Sequence, residues 1–212
     1  MNVLDFFKRK EESEPITMVT AYDYFSARTA QAAGVDCILV GDSAGMVIHG
    51  EKDTLNVDPE VIALHTRAVR KGAPDTFIVS DMPFLTHRKG IEYGVEVAGE
   101  LIRAGANAVK LEGARGNLEL VAHLVESGIP VMGHLGLTPQ SIHQLGGYKI
   151  QGRSEVQKEA LLKDSFDLQE SGCFSLVLEC IPKELAGHIS KDLHIPTIGI
   201  GCGIGTDGQV LV

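Results

Sequence analysis

Apolar runs of four to eight residues recur along this chain behind helix-ending glycines, and five of them finish in a polar residue able to do chemistry. Gly34 leads into Cys37-Ile38-Leu39-Val40-Gly41, then Asp42-Ser43. Phe77-Ile78-Val79-Ser80 ends at Asp81. Gly105 leads to Lys110 and Glu112, Gly128 to His134, and Gly172 to Glu179. Such runs behind turn signals predict fully buried parallel strands. Strands are expected at Ile16–Ala21, Val35–Gly41, Phe77–Met82, Ala108–Leu111, Pro130–Gly133, Phe174–Leu178, Pro196–Ile200 and Gln209–Val212.

Helical periodicity fills the intervals. A helix is expected from about Tyr24 to Ala33, stopped by Gly34. Asp58-Pro59-Glu60 combines an N-cap acid, proline at the first helical position and an acid in the first turn. That helix runs to about Lys71, where Arg70 and Lys71 suit a helix C-terminus. Ile91, Val95, Ala98 and Ile102 share one helix face that ends at Gly105. Leu118–Glu126 and Pro182–Leu193 are helical, and Ser154-x-x-Gln157 forms a capping box for a helix reaching Gly172. The longest connection, Leu135–Arg153, follows His134 directly and has the length of a functional lid.

Alternating strands and helices without a break in composition predict one α/β domain over residues 1–212, a (β/α)8 barrel. Such barrels typically take about 250 residues. At 212 residues the chain is short by roughly one strand-and-helix unit. The barrel is therefore expected to be truncated in or after its eighth strand, with closure in question.

Composition narrows the class. Aromatics make up 5% of the chain and tryptophan is absent, so Val, Ile, Leu and Ala must build the core, as a buried parallel sheet prefers. A net charge of −9 argues against a nucleic-acid or anionic-membrane surface. No stretch approaches the roughly 18 apolar residues of a membrane span, and the charged start lacks the apolar core of a signal peptide. Cys37, Cys173, Cys180 and Cys202 form no C-x-x-C pair. Buried reduced thiols in a cytoplasmic protein are expected, and structural zinc is not.

Ligands of parallel α/β folds sit at the carboxyl ends of the strands, so the polar run ends should share one mouth. Asp42 and Asp81, on successive strands with Glu112 on a third, suit a hard divalent cation such as magnesium. For either aspartate alone, the simpler account is structural: Asp42 capping a turn, Asp81 fixing the following Pro83. Lys110 and Glu112 stand two apart and face one side of a strand. They form either a structural ion pair or a cation for an anionic substrate beside a carboxylate. His134 is as readily a satisfied core histidine as a pocket residue. Glu179 ends an apolar strand, where a carboxylate is costly unless it faces the mouth. It is a candidate general base, or else the partner of an arginine. Gly199-Ile200-Gly201-Cys202-Gly203 follows a late strand, so it reads as a close backbone turn rather than a dinucleotide loop.

Long ordered blocks then resemble the ketopantoate hydroxymethyltransferase family. They are Thr20-Ala21-Tyr22-Asp23, Leu39-Val40-Gly41-Asp42-Ser43, Arg70-Lys71-Gly72-Ala73-Pro74, Asp81-Met82-Pro83-Phe84, Lys110-Leu111-Glu112-Gly113 and Gly133-His134-Leu135-Gly136-Leu137-Thr138-Pro139-Gln140. Gly146-Gly147-Tyr148-Lys149, Leu178-Glu179-Cys180-Ile181-Pro182 and Gly199-Ile200-Gly201 continue the match. The resemblance implies a barrel with one Mg2+ per subunit that moves a one-carbon unit from 5,10-methylenetetrahydrofolate to 3-methyl-2-oxobutanoate. The product would be 2-dehydropantoate, on the way to pantothenate and coenzyme A, through a magnesium-stabilised enolate. It implies Asp42 and Asp81 as metal ligands, with Glu112 reaching the metal. Asp42, Ser43, Asp81, Lys110 and His134 would contact the substrate, and Glu179 would accept the proton. It also implies a cytoplasmic homo-oligomer, a decamer of two pentamers. Three rivals are a different magnesium-dependent barrel enzyme of the phosphoenolpyruvate-mutase or isocitrate-lyase type, a non-catalytic oligomeric scaffold, and a dinucleotide-binding protein.

Overall fold

The computed structural model describes residues 1–212. Eight parallel strands, each paired with its sequence neighbour, close into a barrel: β1 (Ile16–Thr20), β2 (Cys37–Val40), β3 (Phe77–Asp81), β4 (Ala108–Glu112), β5 (Val131–Gly136), β6 (Ser175–Glu179), β7 (Thr197–Ile200) and β8 (Gly208–Leu211). The expected question over closure is answered by β8. It pairs with β1 through Ile16–Gly208 to Val19–Leu211, and with β7 through Ile198–Gly208 and Gly199–Gln209.

The helices are α1 (Val3–Glu11), α2 (Tyr24–Ala32), α3 (Ala44–Val47), α4 (Pro59–Gly72), α5 (Ile91–Ala104), α6 (Leu118–Glu126), α7 (Ile142–Leu145), α8 (Glu155–Glu170) and α9 (Lys183–Asp192). The expected caps hold with one exception. Ser154 and Gln157 form their box, and Gly105 ends α5 at φ 117°. Asp58 takes the N-cap position of α4, but its side chain makes no capping bond, so Pro59 starts that helix.

Strand alternation sorts side chains into two layers. Ile38, Val40, Ile78, Val109, Leu111, Val131, Leu176 and Leu178 point outward into the helix layer. Ile16, Met18, Cys37, Leu39, Phe77, Val79, Ala108, Met132, Val177 and Ile198 point toward the barrel axis. Ala108 faces inward at the lower end of β4, so Lys110 and Glu112, two and four residues on, also face inward.

The sequence pattern did not predict α1. It is capped by a box between Asn2 and Asp5 and closes the barrel floor with Phe6, which is fully buried. The Phe6 ring lies 5.2 Å from those of both Phe77 and Phe174, edge to face. A polar tie holds the same end. Asp207 Oδ2 accepts from Lys10 Nζ (2.8 Å), Ser190 Oγ (3.0 Å) and Thr197 N (2.8 Å), joining α1, α9 and β7 just ahead of β8. The four cysteines are free, and all but Cys180 are buried. The 199–203 glycines make a close turn. A Cβ at Gly201 would lie 3.0 Å from Cys180 Sγ.

Candidate active site

The structure brings Asp42, Ser43, Asp81, Lys110, Glu112, His134 and Glu179 around one cavity of about 220 Å³ at the carboxyl end of the barrel. Asp42 and Ser43 follow β2. Asp81 and Glu112 are the last residues of β3 and β4, and Glu179 is the last of β6. His134 differs from the expectation. It lies inside β5, which runs on to Gly136, and pairs in register with Glu112. The carbonyl of His134 accepts the Gly113 N–H, which draws the strand past the expected end at Gly133.

Two glycines make the arrangement possible. Gly41 lacks a Cβ that would lie 2.6 Å from Ser43 Oγ and 3.4 Å from Asp81 Oδ2. The Asp42 N–H can therefore donate to Asp81 Oδ2 at 3.0 Å. At Gly136 (φ 96°), a Cβ would lie 2.1 Å from the Glu179 carbonyl oxygen. Instead that carbonyl accepts the Leu137 N–H at 2.8 Å, fixing β6 where Glu179 leaves it. Cys180 follows in the left-handed region at φ 48°, a strained turn just beyond the cavity-lining Glu179.

The charges interlock. Lys110 Nζ is 2.8 Å from Asp81 Oδ1, as an ion pair without hydrogen-bond alignment. It also lies 3.3 Å from His134 Nδ1. His134 Nδ1 is 3.4 Å from Glu112 Oε1, and Nε2 is 3.1 Å from Glu179 Oε2. The second approach is not aligned as a hydrogen bond, so the attraction there is electrostatic. Burial and Lys110 oppose a charge on His134, yet Glu112 and Glu179 outweigh them and raise its pKa to about 9. Burial likewise opposes the Lys110 charge, and Asp81, Glu112 and Asp42 more than restore it. Burial, then Asp81 and Glu112, push Asp42 well above the usual carboxylate range, against Lys110 and a bond from Gln140.

Four acids thus face one lysine and one imidazole, an arrangement with room for added positive charge. No three His, Cys, Asp or Glu side chains form a ready-made cage. Magnesium keeps several waters and needs only one or two carboxylates. The Asp42 and Asp81 oxygens supply hard donors of that kind, so the residues present fit the ion.

Sequence reasoning passed over two residues here. Tyr22 ends the first strand run, so the same strand-end rule applied to it. It is buried, and its hydroxyl lies 2.8 Å from Ser43 Oγ. Gln140 is buried and joins two acids. Its Nε2 donates to Asp42 Oδ2 (2.8 Å) and Met82 O (3.0 Å), and its backbone N–H donates to Glu112 Oε2 (3.0 Å). The expected lid carries a turn at Pro139–Ser141 and helix α7. Beyond them Tyr148 lines the cavity, and its hydroxyl reaches Met46 Sδ at 3.4 Å.

Fold and site define a parallel-barrel enzyme with a carboxylate-rich mouth. A family model described as ketopantoate hydroxymethyltransferase matches residues 1–212, and the chain belongs to that family. A protein of Bdellovibrio bacteriovorus named 3-methyl-2-oxobutanoate hydroxymethyltransferase is 53% identical over 99% of this chain and 80% of its own length. One of the same name from Legionella pneumophila is 51% identical over 100% of this chain and 81% of its own. Among solved structures, a phosphonopyruvate hydrolase complexed with oxalate and Mg++ shares the fold at TM-score 0.75 and 11% identity, over 99% of this chain and 80% of that one. No helix is long and apolar enough to cross a membrane.

Proposed function

We propose that this chain transfers a hydroxymethyl group from 5,10-methylenetetrahydrofolate to 3-methyl-2-oxobutanoate, giving 2-dehydropantoate for pantothenate synthesis. The observation that carries the reading is that partly exposed Glu179 shares one cavity with buried Asp42, Asp81 and Lys110. Family membership supplies the reaction type.

Asp42 and Asp81 hold one Mg2+, with Glu112 reaching it from the next strand. When bound, that ion supplies Lewis acidity and template charge for an oxo-acid. Lys110 sits among three carboxylates and stays charged, so it balances the substrate's negative oxygen. Ser43, steadied by Tyr22, donates to the substrate carboxylate. Glu179 takes the C3 proton; one water cleaves both C–N bonds of the folate methylene, releasing tetrahydrofolate and a formaldehyde-level carbon to which C3 adds, and the proton held by Glu179 ends on the new hydroxyl oxygen. The same carboxyl returns to its ionised form as the product leaves. His134 stands between Glu112 and Glu179 and holds both acids in position. Tyr148 and the loop after Gly146-Gly147 cover the mouth and limit water.

The working form is a cytoplasmic decamer of two pentamers. Exposed Phe25 and Leu64 leave apolar surface for such contacts. Light scattering is expected to read ten times the 22.7 kDa chain mass. The reaction itself is tested by deuterium exchange at C3 of 3-methyl-2-oxobutanoate. Glu179→Gln is expected to abolish exchange, and undiminished exchange removes Glu179 from the base role.

A further inference from the structure

A second chamber, of about 480 Å³, adjoins the reaction cavity, and Glu112 lines both. Its volume lies within the range of small-molecule pockets, roughly 300–1,000 Å³. None of the chemistry assigned above uses it. It is built between the segment after α3, the loop after β3 and the turn after β5.

Its lining is apolar on one side and polar on the other. Leu55 and Phe84 offer apolar surface, and Arg88 adds a cation. Two deeply buried polar residues also line it, and each carries an atom without a hydrogen-bond partner: His87 Nδ1 and Gln140 Oε1. His87 is 8% exposed and Gln140 is 6% exposed. Orphaned polar atoms at that depth are costly. The Gln140 amide cannot satisfy itself by turning over, because its Nε2 already serves two acceptors, Asp42 Oδ2 and Met82 O. Its Oε1 is left as an acceptor. His87 is kept neutral, pushed down to about 4 by burial, Arg88 and Lys110, so its ring offers one N–H and one lone pair.

We propose that this chamber seats the fused heteroaromatic ring of the one-carbon donor, with the ring faces on Leu55 and Phe84 and its hydrogen-bonding edge on Gln140 and His87. The inference rests on the folate-dependent reading given above. A bicyclic ring with amide-like N–H and C=O groups along one edge matches an apolar slot ended by one acceptor and one neutral imidazole. Arg88 suits the donor's acidic tail. Glu112 lines both chambers, so the donor ring and an oxo acid held on Lys110 would lie on either side of that one carboxylate, with the donor's methylene extending past it toward C3. Gln140 then links the two sites, because one amide touches both Asp42 and the donor ring.

The test is steady-state kinetics on the full chain with magnesium, 5,10-methylenetetrahydrofolate and 3-methyl-2-oxobutanoate. Leu55→Trp fills the chamber, and Phe84→Ala widens it and removes a stacking face. In at least one variant the KM for the folate is expected to rise fivefold or more, while that for the oxo acid shifts less than threefold. A folate KM changed less than fivefold in every variant that folds overturns the assignment, as does an oxo-acid KM that rises in parallel. Titration with tetrahydrofolate alone separates the two levels. Wild-type protein that neither binds it nor turns over the donor overturns the proposed reaction and this subsite together. Normal wild-type turnover with unaffected variants overturns the subsite alone.

Discussion

The two ends of one barrel interior are built from the same strands and could hardly differ more. At the floor, Phe6, Phe77 and Phe174 meet edge to face, and Ile16, Met18, Cys37 and Ala108 close around them. At the mouth, the inward positions at the far ends of the barrel strands are Asp81, Lys110, Glu112, His134 and Glu179. Moving two residues along β4, from Ala108 to Lys110, crosses from an apolar core to a charged one. The floor is where apolar burial stabilises the fold. The mouth gathers carboxylates in a place where burial opposes their charge, a cost borne for function. Substitutions at the two ends should therefore separate stability from activity.

The largest effect is expected at the mouth. Glu179→Gln should lower turnover by about 10²–10⁴-fold, the usual worth of a positioned proton acceptor, while the thermal midpoint stays close to that of wild type. Unfolding curves recorded beside the kinetics check both halves. The floor should show the reverse. Phe6→Ala is expected to cost about 3–5 kcal/mol in denaturant unfolding, as for large aromatic truncations in cores. The mouth residues should keep their activity in the fraction that remains folded. A Phe6→Ala protein that is as stable as wild type would break the comparison.

The pH response distinguishes the ends further. His134 is raised from about 6.5 to about 9, so the native state binds more protons than the unfolded chain between those values. Its stabilising contribution is full below about 6.5 and lost as the pH climbs through about 9. Chelator-treated protein should therefore lose stability over that window, with a slope of at most about 1.4 kcal/mol per pH unit from this one group. His134→Gln should flatten the slope, and Phe6→Ala should leave it in place. The smallest effect is expected from Asp42→Asn. It removes one of several crowded acids and should slightly raise the stability of the magnesium-free protein, while weakening magnesium binding in a calorimetric titration. A variant that binds magnesium with wild-type affinity would remove Asp42 from the metal's ligands.

The barrel was legible because its punctuation is local. Gly34, Gly105, Gly128 and Gly172 each stand in positive φ just before a strand, and the β-rich runs they introduce became β2, β4, β5 and β6. The mouth was legible for a related reason, since a charged residue closing an apolar strand has few places to go. What escaped depends on contacts far apart in sequence. Helix α1 is short and rich in charge and fully buries only Phe6, although the Asn2–Asp5 cap was there to be read. Gln140 acts through Asp42, 98 residues away, and although it closes one of the family-like blocks, nothing local to it reveals that contact. The end of β5 shifted past His134 because pairing with β4 and β6, rather than the Gly133 beside it, sets where the strand stops.

The central claim is that the acids of the mouth hold a divalent cation for a proton-abstracting base. Deuterium exchange at C3 of 3-methyl-2-oxobutanoate, followed by NMR in the absence of folate, tests it most directly. Exchange is expected with magnesium present, to vanish with a chelator and to return when magnesium is restored. Exchange that continues undiminished in excess chelator would contradict it.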